Sequence, residues 1–187
     1  MEHTEIQRLS AFYAARVDSH DILQPGYKRD WGTLTAVLLS RGGLLVVPPK
    51  QPDEDNDLIL GNPLQWSGSA VLLVPGDDNA CNANAASAWL LGDIESIGTG
   101  YALCDDQLWR QHTWDITNED VIVESTEPSE AYVGSLLTGV DALSFVASNI
   151  DAATFEDARL NPRGDRGVAR TAEMVNLVRE SRAAGGR

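Results

Sequence analysis

The amino-acid sequence predicts an α+β fold, in which a helix precedes a series of short strands that are mainly antiparallel. Three observations predict it. Apolar residues recur at helical spacing near the N-terminus, short β-branched runs are separated by turn residues, and an alanine-rich segment lies in the middle of the chain. With 187 residues, the chain is long enough to form a proper core, so a single domain over residues 1–187 is expected.

The N-terminal half is predicted to contain one helix and four strands. Residues 5–17 carry the helical stripe, and a Pro-Gly turn marks a loop over 20–32. The runs TLTAVLLS and GLLVVPP predict two strands joined by a hairpin turn at RGG. After the acidic loop KQPDEDND, the runs DLILG and SAVLLVPG predict two more strands.

The C-terminal half alternates helices and strands. Residues 79–91 predict an alanine-rich helix that begins near Asn79, with Asp77 and Asp78 as other possible caps. SIGTGYALC predicts a strand, and LWRQHTWDI and VIVEST predict two strands joined by a turn at TNED. Residues 132–150 and 168–183 are predicted to be helices.

The composition excludes several function classes. The net charge is −14 and the pI is about 4.4, so the surface repels nucleic acid and anionic membranes. The chain has no apolar run of the roughly 18 to 20 residues that a membrane helix needs, and no signal-like N-terminus, which indicates a soluble, cytoplasmic protein. Two cysteines do not form a disulfide framework. A Cys81–Cys104 bridge stays open, although reduced thiols are favoured.

The C-terminal loop and helix, residues 159–187, differ in charge from the rest of the chain. They carry seven arginines against three acids, so this segment has a net charge of +4 while the remainder has −18. A basic segment beside an acidic body can dock on that body, can be a solvated tail, or can bind a protein partner.

Cys81 and His112 are the candidates for covalent chemistry. A cysteine nucleophile must be a thiolate, and the unpaired N–H groups of a helix N-terminus stabilise its negative charge. Cys81 is expected in such a first turn. The neighbouring Asp77 and Asp78 oppose this because nearby carboxylates raise the pKa of a thiol. A base such as His112 is then needed to accept the proton. Each residue alone is more often an ordinary core or half-buried residue.

The hairpin of residues 108–126 adds a carboxylate. If Ile116 pairs with Asp120, then His112 lies directly opposite Glu124, at about 5 Å on the same face. Such a carboxylate orients an imidazole and stabilises its protonated form. A one-residue change in the turn would put Ser125 opposite His112 instead. Glu124 is a charged residue within the β-branched run VIVEST, and an edge or solvent-facing strand is the other explanation for a charge at this position.

The order of a cysteine at a helix start, a histidine on a strand and an acid on the next strand resembles the papain-like thiol enzymes. The pieces GYAL, LWRQHTW and VIVEST resemble the transglutaminase-like branch, with Trp114 after the histidine and Thr126 after the acid. The resemblance covers about a third of the chain, residues 72–133, and its acid is Glu124 where Asp is commoner. It implies a papain/transglutaminase-like core, with a central helix packed on a mainly antiparallel sheet and a triad of Cys81, His112 and Glu124.

The resemblance also implies donors for a developing oxyanion. The backbone N–H of Cys81 is one. The side-chain candidates for oxyanion or substrate binding are Asn79, Gln65, Trp66 and Trp114. Two rival acids weigh against Glu124: Asp115, expected on the opposite face from His112, and Asp120, expected in the turn.

The implied activity is acyl transfer from an amide or ester, either to water or to an amine, with a peptide or small amide as substrate. No metal or other cofactor is expected, because the histidines and cysteines have no ligand spacing. Gly98 and Gly100 are interpreted as close packing or a bulge in a strand beside the site. Two other functions stay open: an inactive transglutaminase-like binding module, and a small interaction protein that docks through its basic C-terminal helix.

Overall fold

The protein has an α+β fold in the computed structural model, which describes residues 3–52, 56–61, 63–67 and 71–185. The helices in these ranges are α1 (His3–Leu23), α2 (Tyr27–Leu39), α3 (Asn56–Gly61), α4 (Cys81–Leu91), α5 (Gly139–Asn149), α6 (Ala152–Leu160) and α7 (Gly164–Gly185). The strands are β1 (Leu45–Val46), β2 (Leu64–Ser67), β3 (Val71–Leu73), β4 (Ser96–Leu103), β5 (Leu108–Ile116), β6 (Ile122–Glu124) and β7 (Ala131–Leu137).

The strands form one mixed sheet in the order β2-β7-β4-β5-β6-β3, and β1 pairs with β5 beside this path. The pairs β2·β7 and β5·β6 are antiparallel, whereas β1·β5 and β3·β6 are parallel. The sheet is therefore mixed, because it contains two parallel pairs in addition to the antiparallel pairing that the sequence predicts. Local patterns do not reveal the parallel pairs, because their partners lie far apart in the chain.

The prediction of a loop and a strand over residues 20–40 is wrong. The first helix continues to Leu23, and α2 follows after a turn in which Gly26 has φ 98°, a conformation that glycine adopts without strain. The buried residues of α2 recur at spacings of four, three and four, which is a helical period. They are Tyr27, Trp31, Leu34 and Leu38.

Other differences concern short apolar runs. DLILG was expected to be a strand but lies in α3, and β1 covers only two residues of GLLVVPP. The segment expected as one helix over 132–150 is β7 followed by α5. Strand β7 pairs with β2, and Gly139, with φ 53°, begins the helix. Short apolar runs suit a buried strand or a buried helix equally, so tertiary pairing decides between them.

The elements around the candidate site match their predictions. Helix α4, strands β4, β5, β6 and β3, and helix α7 all lie within the predicted segments or extend them by a few residues. Two predicted segments lie partly outside the described residues. The parts outside are residues 53–55 of the acidic loop and residues 69–70, which precede β3. Strand β2 and helix α6 were not predicted.

The chain divides into two compact units. Unit 1 comprises Met1–Ser69, Thr99–His112 and Pro128–Ser135, and unit 2 comprises Ala70–Gly98, Thr113–Glu127 and Leu136–Arg187. The core of unit 1 includes Tyr27, Trp31 and Tyr101, whose rings pack in sequence. In unit 2 the core forms where α4, α5, α6 and α7 pack together.

Helix α7 docks on the end of α4 within unit 2. The Arg170 guanidinium lies 4.1 Å from the ring centroid of Trp89, and it donates to the carbonyl oxygens of Trp89, Ile94 and Glu95 at 2.6 to 2.8 Å. Burial lowers the pKa of Arg170 to about 10, which leaves it cationic at neutral pH. The basic segment therefore uses part of its charge inside its own unit.

Candidate functional site

Cys81 is the first residue of α4, as the sequence predicts, and its free thiol is half-buried. The N-cap, however, is Ala80, and Asn79 precedes it with φ 58° in the left-handed region. The expectation that Asn79 caps the helix is therefore wrong. Because alanine has no side-chain acceptor, it cannot cap the first-turn N–H groups as asparagine would.

Asn82 connects the thiol to strand β5. The Cys81 thiol donates to Asn82 Oδ1, with 3.6 Å between sulfur and oxygen. The same oxygen accepts a hydrogen bond from Thr113 Oγ1 at 2.7 Å. Thr113 is 3% exposed, so this hydroxyl is held in a largely dry environment. The first turn of α4 and the middle of β5 are thereby held together beside the sulfur.

Asn84 fixes the loop that precedes Cys81. Its side chain accepts from the backbone N–H of Asp77 at 3.1 Å and donates to the Asp77 carbonyl at 2.9 Å. It also donates to Ser125 Oγ at 3.1 Å, just after β6. A Cβ at Gly76 would lie 2.5 Å from Asn84 Nδ2 and 2.9 Å from Ser125 Cβ, so only glycine fits there. One amide side chain thus holds the loop, the helix and the end of β6.

Asp77 and Asp78, the acids expected to keep Cys81 protonated, are both exposed. Asn84 binds the main chain of Asp77 and not its carboxylate. Water screens the field of an exposed carboxylate, so these two acids oppose a thiolate less than buried ones would.

Glu124 ends strand β6 and is fully buried, at 0% exposure, so the alternative of a solvent-facing residue is wrong. Its Oε1 accepts from the backbone N–H of Ser125 at 3.3 Å. Its carbonyl oxygen accepts from the N–H of Val74 at 2.9 Å, which continues the parallel β3·β6 ladder.

The predicted register of the hairpin is wrong. Ile116 pairs with Ile122 and not with Asp120, which places Glu124 across from Trp114 when the register is continued. The turn is longer than expected, and within it the Thr117 hydroxyl accepts from the N–H groups of Glu119 and Val121. Asp120 lies in this turn, as predicted, with φ 58°. Direct opposition of His112 and Glu124 is therefore not the geometry of this hairpin.

His112 lies on β5 and is half-buried, with its ring centroid 6.4 Å from that of Tyr132. It belongs to unit 1, together with Tyr132, while Cys81 and Glu124 belong to unit 2. The rival acid Asp115 is buried on β5 and pairs with Val123. The catalytic roles of these residues stay predictions.

The side-chain candidates for substrate or oxyanion binding have different surroundings. The Gln65 side-chain oxygen accepts from Arg41 Nη1, and Trp66 is half-buried on the same strand, β2. Trp114 is fully buried and packs on Gly98, where a Cβ would lie 2.2 Å from the indole nitrogen. The close-packing interpretation of Gly98 is thus confirmed. Gly100 likewise packs closely, because a Cβ there would lie 2.3 Å from the Val133 carbonyl oxygen.

Four polar residues around Cys81 were not predicted from the sequence to belong to its site. They are Asn82, Asn84, Thr113 and Ser125. A signal was available in the segment NACNAN, because asparagine is unfavourable inside a helix unless its side chain has a specific partner. The identity of the partners, 31 and 41 residues away, could not be read from the segment.

The structure also bears on membrane spans and on metal sites. Across the residues that the structure describes, no helix has both the length and the apolar character to cross a membrane. The same ranges contain no cluster of three or more His, Cys, Asp and Glu residues arranged to hold a metal ion. In comparisons with known proteins, no family model, curated protein or solved structure matches this chain.

Proposed function

We propose that this protein catalyses cysteine-dependent acyl transfer from an amide or ester, with Cys81 as the nucleophile. The observation that supports this best is the thiol at the start of α4, in hydrogen-bond contact with Asn82, whose amide oxygen also binds Thr113. A helix start favours a thiolate, and a fixed neighbour restricts the rotamers of the nucleophile.

The proposed mechanism has two steps. Cys81 sulfur attacks the substrate carbonyl while His112 accepts the thiol proton, and the backbone N–H of Cys81 donates to the oxyanion. His112 then protonates the leaving amine or alcohol, and a thioester remains on Cys81. Water or a second amine then attacks the thioester while His112 accepts its proton, and His112 returns this proton to the departing Cys81 sulfur. The products are the acid or the new amide and the restored thiol.

Glu124 is proposed to orient His112 and to stabilise its protonated form. The corrected hairpin register puts Glu124 across from Trp114 and not across from His112, a change of two residues along β5. Because alternate residues of a strand share a face, Glu124 is still expected on the same face of the hairpin as His112. A papain/transglutaminase-like core belongs to this same proposal, since it rests on the order of Cys81, His112 and Glu124 in the sequence.

Thiol alkylation as a function of pH tests the proposal. In a Cys104→Ser background, iodoacetamide should label Cys81 below about pH 7, whereas an ordinary thiol with a pKa of roughly 8.5 reacts mainly at higher pH. His112→Ala should remove the low-pH labelling, and the matched control His3→Ala should leave it unchanged. A labelling profile of an ordinary thiol, or one that His112→Ala does not change, would exclude the proposed pair.

Acylation itself is tested with p-nitrophenyl acetate as the probe. The expected result is a burst of nitrophenol and an acetyl group on the Cys81 peptide, detected by mass spectrometry, which Cys81→Ser abolishes. Low-pH alkylation without acylation would favour the inactive binding module. The third function, docking through the basic helix, has fewer free charges to use, because Arg163 and Arg166 pair with Asp93 and Glu95.

A further inference from the structure

We infer that the outer edge of strand β3 binds an extended, positively charged peptide as an added strand. Strand β3 is the last strand in the sheet order, and it pairs with β6 on one side. Within the described residues, no strand pairs with its other side. An edge of this kind presents backbone N–H and C=O groups that a peptide strand can pair with.

The direction of the backbone groups follows from one hydrogen bond. The N–H of Val74 points to β6, because it donates to the Glu124 carbonyl at 2.9 Å. Successive residues of a strand direct their N–H and C=O groups to opposite sides of the strand. The N–H and C=O of Leu73 therefore point to the outer edge, where they can bond to an added strand.

The side chains along this edge are apolar and exposed. Leu72, Leu73 and Val74 are 54%, 56% and 45% exposed, respectively. Leu72 and Leu73 lie on opposite faces of the strand, so apolar surface is available on both sides. Most edge strands carry charged residues that prevent pairing with other chains, and β3 has none.

Charge selects the kind of peptide. The exposed Asp77 and Asp78 follow the strand after three intervening residues. The segments 70–98 and 113–127 of unit 2 contain nine acids and no Lys or Arg. Arg163, just before α7, pairs instead with Asp93, and Arg166 in α7 pairs with Glu95; both acids lie beyond the other end of α4. A peptide with apolar and basic residues complements this edge, whereas a second copy of the chain, at −14, is repelled.

A fluorescein-labelled hexapeptide of alternating Val and Lys is the probe, and its affinity is measured by anisotropy. Cys81→Ser protein is used, so that binding is separated from the proposed acyl transfer. We expect saturable binding that weakens about three- to tenfold when the peptide is N-methylated on alternate amides, which keeps its charge and removes its donors. An equal affinity of the N-methylated peptides, or no binding at all, would overturn the inference.

Protein variants locate the binding site. Leu73→Pro removes the outward N–H and should weaken binding about threefold or more, whereas Leu73→Ala, which keeps the N–H, should weaken it less. If circular dichroism shows that Leu73→Pro does not fold, the affinities of the N-methylated peptides decide whether binding depends on backbone hydrogen bonds. Asp77→Asn with Asp78→Asn should weaken binding more than the charge-matched Asp105→Asn with Glu119→Gln. Equal effects of the two pairs would show general attraction to an acidic protein and overturn the inference.

A second copy of the chain is the competing occupant. Sedimentation equilibrium should show a monomer at the concentrations used for peptide binding. One result would overturn the peptide inference: a dimer that dissociates in the Leu73→Pro variant but stays intact when the peptide is added. The edge would then be assigned to self-association. Peptide binding with an unreactive Cys81 would leave the inference intact and remove only the proposed acyl transfer.

Discussion

At the scale of single residues, the amide of Asn82 matters most for the candidate site. Its oxygen accepts from the Cys81 thiol and from the Thr113 hydroxyl. A neutral acceptor next to the sulfur keeps the thiol in one orientation without adding a negative charge. Asn82 is therefore a positioning residue for the proposed nucleophile.

Removing this amide should change both the reactivity and the stability. Asn82→Ala is expected to speed low-pH alkylation of Cys81 severalfold, because the amide oxygen accepts from the protonated thiol and so favours it over the thiolate. It should also lower the free energy of unfolding by about 0.5–1.5 kcal/mol. Thr113→Val, which removes only the hydroxyl bond to Asn82, should cost a similar amount of stability and change the alkylation rate less. Alkylation rates and urea unfolding measure the two effects. Unchanged alkylation in Asn82→Ala would exclude a positioning role.

Gly76 provides a second test at this scale. Gly76→Ala should destabilise the protein by about 1–3 kcal/mol, because the added methyl group collides with Asn84 and Ser125. Gly32→Ala is the control: a methyl group there meets nothing within 4 Å, and alanine is the better helix former. That variant should be stabilised by about 0.5–1 kcal/mol. Thermal unfolding of both variants is the measurement, and equal melting temperatures would contradict the predicted collision.

At the scale of elements, α4 is held at both ends by side chains that come from elsewhere in unit 2. Thr113 and Ser125 bind its first turns, and Arg170 binds the carbonyl groups at and beyond its last turn. The thiol therefore lies on a helix whose position depends on β5, β6 and α7. The helix itself was predictable from its alanine content, whereas these three supports were not, because each joins residues at least 31 positions apart.

The support from α7 can be tested with Arg170. Arg170→Met should lower the free energy of unfolding by about 3 kcal/mol, since three carbonyl groups lose their charged donor. Arg159→Met removes an exposed pair with Glu156 and should leave the free energy of unfolding nearly unchanged. Chemical denaturation of the two variants makes the comparison. A small effect in Arg170→Met would mean that α7 contributes little to holding α4.

At the scale of the whole molecule, the acidic charge dominates. A net charge of −14 on 187 residues makes the folded chain repel itself, and salt screens this repulsion. The melting temperature should therefore rise when NaCl is increased from about 0.05 to 0.5 M, with Debye lengths falling below about 10 Å. Differential scanning calorimetry measures the change. A fall in melting temperature would mean that the ion pairs of α7 outweigh the general repulsion.

The amino-acid sequence alone was sufficient for the features that depend on neighbours in the chain. The place of Cys81 in the first turn of a helix, strands β4 and β5, the turn at Asp120 and the acidic character follow from local composition and periodicity. Long-range pairing settled the remainder: the helical state of residues 27–39, the hairpin register, the burial of Glu124 and the hydrogen bonds that Asn82 and Asn84 make. The physical reason is that a short apolar run or an asparagine suits several local structures, and the free energy that selects one comes from partners distant in the chain.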